Sequence, residues 1–322
     1  MPTPVALSTG VTLDVHDVGP RDAPALVFLH GFPESWRTWR HQVAALADRY
    51  RCIAPDQRGY GASSKPPAVA DYAPDKLAAD IFALADALGI ERFTVVGHDW
   101  GGVIAWIVAT LGQFSRRVPR AVIANAPHPT PYQRLLYLDR AQRESSQYIR
   151  LFRDPATIDH VREHGLASTL VRAFSRSAPP ARGIGARLAA AGELARGALG
   201  ILGNIEPAEA AALYRRWQDG EAAVAMLNWY RASPVVVPAP DEPYALPAEL
   251  PPAAPPLTIP TLVLWGEDDF ALPPVNLDDL PAQVPDVRIV RLPGVGHFSP
   301  WQAPGPVTAA LAAFLEETAA VA

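Results

Sequence analysis

Short apolar, β-branched runs alternate with amphipathic segments in two parts of the chain, residues 1–127 and 258–322. Such runs predict buried strands, and apolar positions spaced by three and four residues predict helices. The predicted strands are Val11–Val15, Leu26–Leu29, Arg51–Ala54, Phe93–Val96, Ala121–Ala124, Thr261–Trp265 and Val287–Leu292. Their alternation with helices predicts an α/β fold, in which a mostly parallel sheet carries helices on both faces.

The pattern changes in the middle of the chain, where helical spacing dominates and no good buried strand is visible, as in Tyr132–Tyr148 and Ala208–Tyr230. Pro179–Gly203 is rich in Ala, Gly and Arg, which predicts a loosely packed segment. Pro234–Pro260 is rich in proline, which predicts an extended connection. A helical insertion between two strands predicts a lid over the strand ends. We therefore expect a core of residues 1–127 and 258–322 and a helical cap of residues 128–257.

The segment Phe93–Gly102, FTVVGHDWGG, has the sequence of a strand that turns sharply into a helix. Such a turn holds one reactive side chain out toward a cavity. Gly97 and Gly101 flank Asp99, and glycine tolerates a strained backbone best. The apex residue is Asp99 rather than the usual serine. A carboxylate can attack a saturated carbon and form an alkyl ester of the enzyme, which water must then cleave.

A base for the second step is His297, in a glycine-containing loop after the last predicted strand. A histidine base needs a carboxylate that fixes its tautomer. Asp268 and Asp269 both follow the preceding strand, and spacing does not distinguish them. The order nucleophile, acid, histidine is that of an α/β-hydrolase fold. In such a fold the backbone N–H groups of Phe32 and Trp100 would stabilise the oxyanion that forms when water attacks the ester.

The amino-acid composition excludes several classes of function and partner. The 322 residues are 49% hydrophobic and 19% charged, which is enough for a sizeable core. The net charge is −5 without a basic block, so we expect neither nucleic acid nor membrane as a partner. The single Cys52 excludes an internal disulfide and a cysteine-based metal site. With no leader pattern or membrane-length apolar run, we expect a cytoplasmic monomer or homodimer without metal or cofactor.

Three motifs resemble those of the epoxide hydrolases of the α/β-hydrolase fold: HGFP at 30–33, DQRGYG at 56–61 and GHDWGG at 97–102. The resemblance covers nearly the whole chain. It implies an eight-stranded, mostly parallel sheet with an inserted all-helical cap, and opening of a small apolar epoxide to a vicinal diol. It also implies that Asp269, rather than Asp268, is the acid, and that the Phe32–Pro33 peptide bond is cis.

The same resemblance implies two cap tyrosines that hydrogen-bond the epoxide oxygen. Tyr230 lies in NWYR, and Tyr148 lies in QYIRLFRDP. Phenols with a pKa of about 10 stay neutral at pH 7 and can donate a proton to a basic alkoxide. Alternatives for the position of Tyr148 are Tyr132, Tyr137 and Tyr214. The side chains expected to line an apolar pocket are Trp36, Trp229 and Phe298.

Other functions on this fold remain as alternatives. A haloalkane dehalogenase shares the Asp nucleophile and the following Trp, but typically has Asn at the position of Phe32. Fluoroacetate dehalogenases carry Arg where this chain has Trp100. Some dehalogenases place the acid where this chain has Asn125, which is not a carboxylate. Asp99 argues against a serine esterase, and the filled catalytic positions argue against a non-catalytic small-ligand-binding homologue. Phe32 and the cap tyrosines favour an epoxide over a halide.

Overall fold

The computed structural model describes residues 2–174 and 205–321, so the segment Pro179–Gly203 lies outside the described residues. Eight strands form one sheet in the order β1-β2-β4-β3-β5-β6-β7-β8. They are β1 (Thr3–Ala6), β2 (Thr12–Val18), β3 (Ala25–Leu29), β4 (Arg51–Asp56), β5 (Phe93–His98), β6 (Ala121–Ala124), β7 (Thr261–Gly266) and β8 (Val287–Leu292). The pairings β1–β2 and β2–β4 are antiparallel and the rest are parallel, which confirms the predicted sheet.

Helices cover both faces of this sheet. The helices that the structure describes are α1 (Arg40–Leu46), α2 (Pro74–Ala87), α3 (Trp100–Ser115), α4 (Pro129–Leu138), α5 (Arg140–Ser145), α6 (Gln147–Arg153), α7 (Pro155–His164), α8 (Ala167–Phe174), α9 (Pro207–Gln218), α10 (Gly220–Ala232), α11 (Leu280–Gln283), α12 (Ser299–Gln302) and α13 (Pro304–Glu317). Short 3₁₀ helices occupy Trp36–Trp39, Val69–Tyr72, Pro274–Leu277 and Ala319–Val321. None of the described helices is long and apolar enough to span a membrane.

The central strand β3 shows how the core is divided. All five of its residues are buried. Leu26 and Phe28 pack with α1 and α13, whereas Val27 and Leu29 belong to the cluster that contains α2 and α3. Successive side chains of a strand point to opposite faces, so one apolar run supplies both clusters. A fully apolar strand is therefore what a sheet covered on both faces requires.

Helices α4 to α10 lie between β6 and β7 and form the inserted region expected of a cap. The helical spacing of Tyr132–Tyr148 is divided among three helices, because Asp139 ends α4 and its side chain accepts the Gln142 N–H at 2.7 Å, which starts α5. Asp219 likewise separates α9 from α10 and accepts the Ala222 N–H at 3.1 Å. Both aspartates satisfy N–H groups that a helix start leaves unpaired.

Two cap tryptophans hold the insertion above the carboxyl ends of the parallel strands. The Trp217 indole N–H donates to the carbonyl of Pro33 at 2.8 Å, and that of Trp229 donates to the carbonyl of Arg58 at 2.9 Å. Both acceptors lie in loops that follow strands β3 and β4. The cap is thereby fixed over the edge of the sheet where ligands of such folds bind.

Candidate active site

The segment between β5 and α3 is a tight turn with Asp99 at its apex. Asp99 has φ 49° and ψ −123°, which is a strained backbone for a residue with a side chain. A side chain at Gly97 would overlap the carbonyl of Gly101, and one at Gly101 would overlap the carbonyl of Leu29. The glycines therefore allow the close backbone approach that the turn needs. The carboxylate of Asp99 faces the space between sheet and cap.

His297 lies between Asp99 and Asp269 and contacts both side chains. The Nε2 atom of His297 is 3.3 Å from Oδ2 of Asp99, and its Nδ1 atom is 2.7 Å from Oδ2 of Asp269. Asp269 is buried, whereas the neighbouring Asp268 is exposed. The structure thus distinguishes the two aspartates that spacing alone leaves open, and it brings together the three side chains expected from the sequence.

Asp269 is held by more than the histidine. Its Oδ1 atom accepts the N–H groups of Ala271 and Leu272 at 2.8 and 2.9 Å. Its Oδ2 atom also accepts the side-chain amide of Asn125 at 2.8 Å, while Oδ1 of Asn125 accepts the Gly266 N–H at 3.1 Å. From the sequence, we noted only that Asn125 is not a carboxylate and predicted no role for it. Its position at the end of β6, beside the strand that carries the acid, is the signal that indicates this role.

The charges of the three groups depend on one another. Burial disfavours the carboxylate of Asp99, but hydrogen bonds from His297 and from the Phe32 N–H hold its pKa below the usual value. Burial also disfavours the imidazolium of His297, yet Asp269 and Asp99 raise the pKa of His297 to about 10. The resting site therefore contains a charged nucleophile beside a protonated histidine, and removing the charge of Asp99 lowers the pKa of His297.

Backbone N–H groups surround the nucleophile. The N–H of Phe32 donates to Oδ1 of Asp99 at 2.7 Å. Trp100 is the first residue of α3, so its N–H belongs to the helix start, where donors lack partners within the helix and anions are favoured. The Phe32–Pro33 peptide bond is cis, as the resemblance implies. Both N–H groups expected from the sequence therefore lie next to the nucleophile. That of Phe32 donates to the Asp99 carboxylate, and that of Trp100 belongs to the residue that follows Asp99.

A buried carboxylate that the sequence reasoning missed, Glu34, connects the loops. Its Oε2 atom accepts the Gly31 N–H at 2.9 Å and lies 2.8 Å from Nδ1 of His98, and its Oε1 atom accepts the Trp301 indole N–H at 2.5 Å. The other ring nitrogen of His98 is 2.9 Å from the carbonyl of His297. Both ring nitrogens of His98 therefore lie within hydrogen-bonding distance of an oxygen atom. The signal for Glu34 is an acidic residue directly after HGFP.

The two predicted cap tyrosines face the nucleophile from α6 and α10. The Tyr230 ring packs edge-on against the rings of Phe32 and Trp100, with centroids 5.0 and 5.2 Å apart. The Tyr148 ring lies 5.9 Å from that of Tyr230 and 5.4 Å from that of Phe152. Burial raises the pKa of both phenols well above the usual value. Both hydroxyls are therefore neutral donors at physiological pH.

The alternative tyrosines are placed differently. The Tyr132 hydroxyl is 3.1 Å from Oγ of Ser146 and is thus engaged within the cap. Tyr137 and Tyr214 do not appear among the described residues that line the cavities beside Asp99. Tyr132 lines the second cavity but not the first, whereas Tyr148 and Tyr230 line both cavities.

Two cavities meet at Asp99, Tyr148 and Tyr230, which line both of them. The first is lined by His297 and Phe298 as well and contains about 370 Å³ of empty space that is open to solvent, and the second contains about 790 Å³. Among the predicted pocket residues, Phe298 lines the first cavity. Two others do not line either cavity: Trp36 stacks on His16 with centroids 4.1 Å apart, and Trp229 lies behind Trp100 with its indole N–H on the Arg58 carbonyl.

The donor groups of the site suit acid–base and nucleophilic chemistry. Within residues 2–174 and 205–321, no group of His, Cys, Asp and Glu side chains is arranged to hold a metal ion. The elements present are a carboxylate nucleophile, a histidine with a buried acid, backbone N–H donors and two neutral phenols. Together they can form and hydrolyse a carboxylate ester of an alkyl group whose leaving oxygen needs a proton.

Comparison with known proteins agrees with this geometry. Residues 24–304 match the family model of the alpha/beta hydrolase fold. Epoxide hydrolase A of Mycobacterium tuberculosis is 35% identical over 96% of this chain and 95% of its own length. A solved structure described as one of the novel epoxide hydrolases in metagenomes from hot environments is 54% identical, with a TM-score of 0.87 and 98% of each chain covered. The product complex of a Bacillus megaterium epoxide hydrolase is 25% identical, with a TM-score of 0.78 over 98% of this chain and 100% of that one.

Proposed function

The chain belongs to the epoxide hydrolases of the α/β-hydrolase fold, and on that premise we propose that it opens an epoxide to a vicinal diol through an ester of Asp99. One observation carries the proposal: a carboxylate at the apex of the turn faces two tyrosines across a shared cavity. A carboxylate nucleophile supports alkylation, and two phenols support a leaving oxygen that must be protonated. The relatives named above are themselves described as epoxide hydrolases.

In the first step, Tyr148 and Tyr230 donate hydrogen bonds to the epoxide oxygen while Oδ2 or Oδ1 of Asp99 attacks one ring carbon. The C–O bond of the ring breaks, and the oxygen takes a proton from a tyrosine. The resulting phenolate takes a proton from the His297 imidazolium, which becomes neutral. The pKa direction supports this exchange, because esterification removes the charge of Asp99 that helps keep His297 protonated.

In the second step, neutral His297, oriented by Asp269, takes a proton from water, and the resulting hydroxide attacks the ester carbonyl. The N–H groups of Phe32 and Trp100 hold the oxyanion. Collapse breaks the bond between the carbonyl carbon and the alkyl oxygen, and that oxygen takes the proton from His297. The diol leaves, and the new acid of Asp99 returns its proton to His297, which restores the resting ion pair. Overall, one water is added to one epoxide.

We assign these roles to two domains, a core of residues 1–127 and 258–322 and a cap of residues 128–257. Support comes from the chain connections at both boundaries. The first helix of the insertion begins at Pro129, directly after β6 and its loop. At the other boundary, the N–H of Leu257, the last residue of the cap, donates to the carbonyl of Gln283 in the core at 2.9 Å.

The test is the intact mass of the His297→Gln variant after mixing with styrene oxide. This variant retains the nucleophile and both tyrosines but lacks the base, so we expect a mass gain equal to the whole epoxide, located on Asp99 by peptide mapping. The ester should accumulate because its hydrolysis requires the base. Wild-type protein should instead produce diol over many turnovers and show little adduct.

Two controls make the outcome decisive. The double variant His297→Gln with Asp99→Ala should show no adduct. A parallel incubation with n-butyl bromide tests the alternative leaving group. A butyl adduct with bromide release, in the absence of any adduct from styrene oxide and other epoxides, would show that the protein is a dehalogenase and that the tyrosines only pack.

A further inference from the structure

Trp301 reaches the buried carboxylate of Glu34 from the segment that follows the base. It is the third residue of α12 and comes four residues after His297. Its indole N–H donates to Oε1 of Glu34 at 2.5 Å, and both side chains are buried. This single contact therefore joins the loop after β3 to the segment that carries the base.

The two oxygens of Glu34 have different donors. Oε2 accepts the Gly31 N–H at 2.9 Å and lies 2.8 Å from Nδ1 of His98. For Oε1, the only donor among the described residues is the Trp301 indole. Burial disfavours this carboxylate, although the neighbouring His98 holds the pKa of Glu34 below the usual value. A buried anion with an unpaired oxygen is costly, so Glu34 depends on the Trp301 N–H.

The indole is itself held in a fixed orientation. The guanidinium of Arg40 lies over its ring, with the central carbon 4.2 Å from the centroid. The backbone N–H of Trp301 donates to the carbonyl of Phe298 at 3.0 Å. A donor that is fixed in this way determines which oxygen of Glu34 faces it. The other oxygen is thereby kept on the Gly31 N–H and on His98.

The contacts of this second oxygen lead to both loops that ester hydrolysis uses. Gly31 directly precedes Phe32, whose N–H is one of the two expected oxyanion donors. The other ring nitrogen of His98 is 2.9 Å from the carbonyl of His297, the base. A shift of the Glu34 carboxylate would therefore move an oxyanion donor and the base together.

We propose that Trp301 is a positioning residue for ester hydrolysis, which acts through Glu34 on the two loops that serve this step. The proposal rests on the proposed function, because ester hydrolysis is the second step of that mechanism. Ring opening uses the Asp99 carboxylate and the cap tyrosines, which Trp301 does not contact by any hydrogen bond among the described residues. Loss of the indole donor should therefore slow one step and spare the other.

Two substitutions separate the N–H group from the size of the side chain. Trp301→Phe keeps an aromatic ring but removes the donor, whereas Trp301→His keeps a ring N–H in the corresponding position and removes the benzo ring. Formation and decay of the ester are measured in quenched single-turnover samples with styrene oxide. In Trp301→Phe we expect decay to slow by about 10–100-fold, as for a lost hydrogen bond to a buried charge, and formation to keep the wild-type rate. Trp301→His should recover most of the decay rate.

Trp106→Phe is the matched control, because this buried indole donates to a neutral carbonyl, that of Ala126 at 3.2 Å. It should keep both wild-type rates. The proposal is wrong if Trp301→Phe leaves decay unchanged or slows both steps equally. It is also wrong if Trp301→His decays more slowly than Trp301→Phe, which is the order expected for packing alone. If the wild-type protein forms neither ester nor diol from styrene oxide and other epoxides, the proposed function fails, and this proposal fails with it.

Discussion

The two walls of the active site are built in different ways. The core wall consists of Asp99, His297 and Asp269. Each of these residues follows a strand of the sheet, and hydrogen bonds hold its side chain in place. The cap wall consists of Tyr148 and Tyr230, which are positioned mainly by edge-on contacts with other aromatic rings. The core wall carries charges that depend on one another, whereas the cap wall is neutral.

In the proposed mechanism, the two walls serve different steps of the reaction. Hydrolysis of the ester needs a base, its acid and an oxyanion site, and all of these belong to the core. Opening of the ring needs neutral proton donors in an apolar setting, and these belong to the cap. A substitution on one wall should therefore slow one step and spare the other, which gives a direct way to test the division.

The largest effect is expected on the core wall, from Asp269→Asn. The amide cannot stabilise the imidazolium and favours the wrong tautomer of His297, so ester hydrolysis should slow by about 10³–10⁴-fold. Alkylation should be affected less, and the ester should accumulate in intact-mass spectra. The matched control is Asp268→Asn at the exposed neighbouring position, which should keep wild-type turnover. Equal losses in both variants would argue against Asp269 as the acid.

A smaller effect is expected on the cap wall, from replacing the tyrosines by phenylalanine. Each single variant, Tyr148→Phe or Tyr230→Phe, leaves one donor, so the rate of alkylation should fall by about tenfold. The double variant leaves none and should lose about 10²–10⁴-fold, the range of a general acid. The measurement is single-turnover formation of the ester from styrene oxide.

The same tyrosine variants should not change the rate at which the ester is hydrolysed once it has formed. This rate is measured from the decay of the ester in samples that are quenched after mixing. If the double variant opened the epoxide at the wild-type rate, the two phenols would be packing residues. If it slowed hydrolysis as much as alkylation, the division of steps between the two walls would be wrong.

The smallest effect concerns stability and belongs to the core wall alone. The pKa of His297 is raised to about 10 in the folded protein, compared with about 6.5 in an unfolded chain. Its ion pairs with Asp99 and Asp269 therefore stabilise the fold fully below about pH 6.5, and this contribution is lost as the pH rises toward about 10. Between these limits, the Tm of the wild-type protein should fall by several degrees more than the Tm of His297→Gln. Parallel Tm curves would contradict the raised pKa.

The core wall was largely predictable from the sequence, and the reason is physical. Residues such as Asp99 and His297 follow predicted strands, and parallel strands bring their carboxyl ends to one edge of the sheet. The choice between Asp268 and Asp269 needed either the family resemblance or the structure. The two side chains point in different directions, but adjacent aspartates in one loop look alike in the sequence pattern. The roles of Asn125 and Glu34 were not predicted, because Asp269 and His98, to which they bind, are distant from them in the sequence.

The cap wall was much less predictable. Helical spacing indicates helices but does not say which residue of a helix faces the nucleophile, so Tyr148 and Tyr230 rested on the family resemblance. The expectation that Trp36 and Trp229 line the pocket failed for the same reason, since nearness to a motif in sequence does not give the direction of a side chain. Trp36 stacks on His16 instead, and Trp229 packs against Trp100.

The buried Glu34 has a consequence for how such a protein can change over evolutionary time. Together with His98, it connects the loop that carries Phe32 to the loop that carries His297, using core residues alone. The hydrogen bonds that connect these two loops thus come from the core and not from the insertion above it. Mutations in the insertion at positions other than Tyr148 and Tyr230 can therefore alter which molecules are accepted, while the hydrolytic step beneath is inherited unchanged.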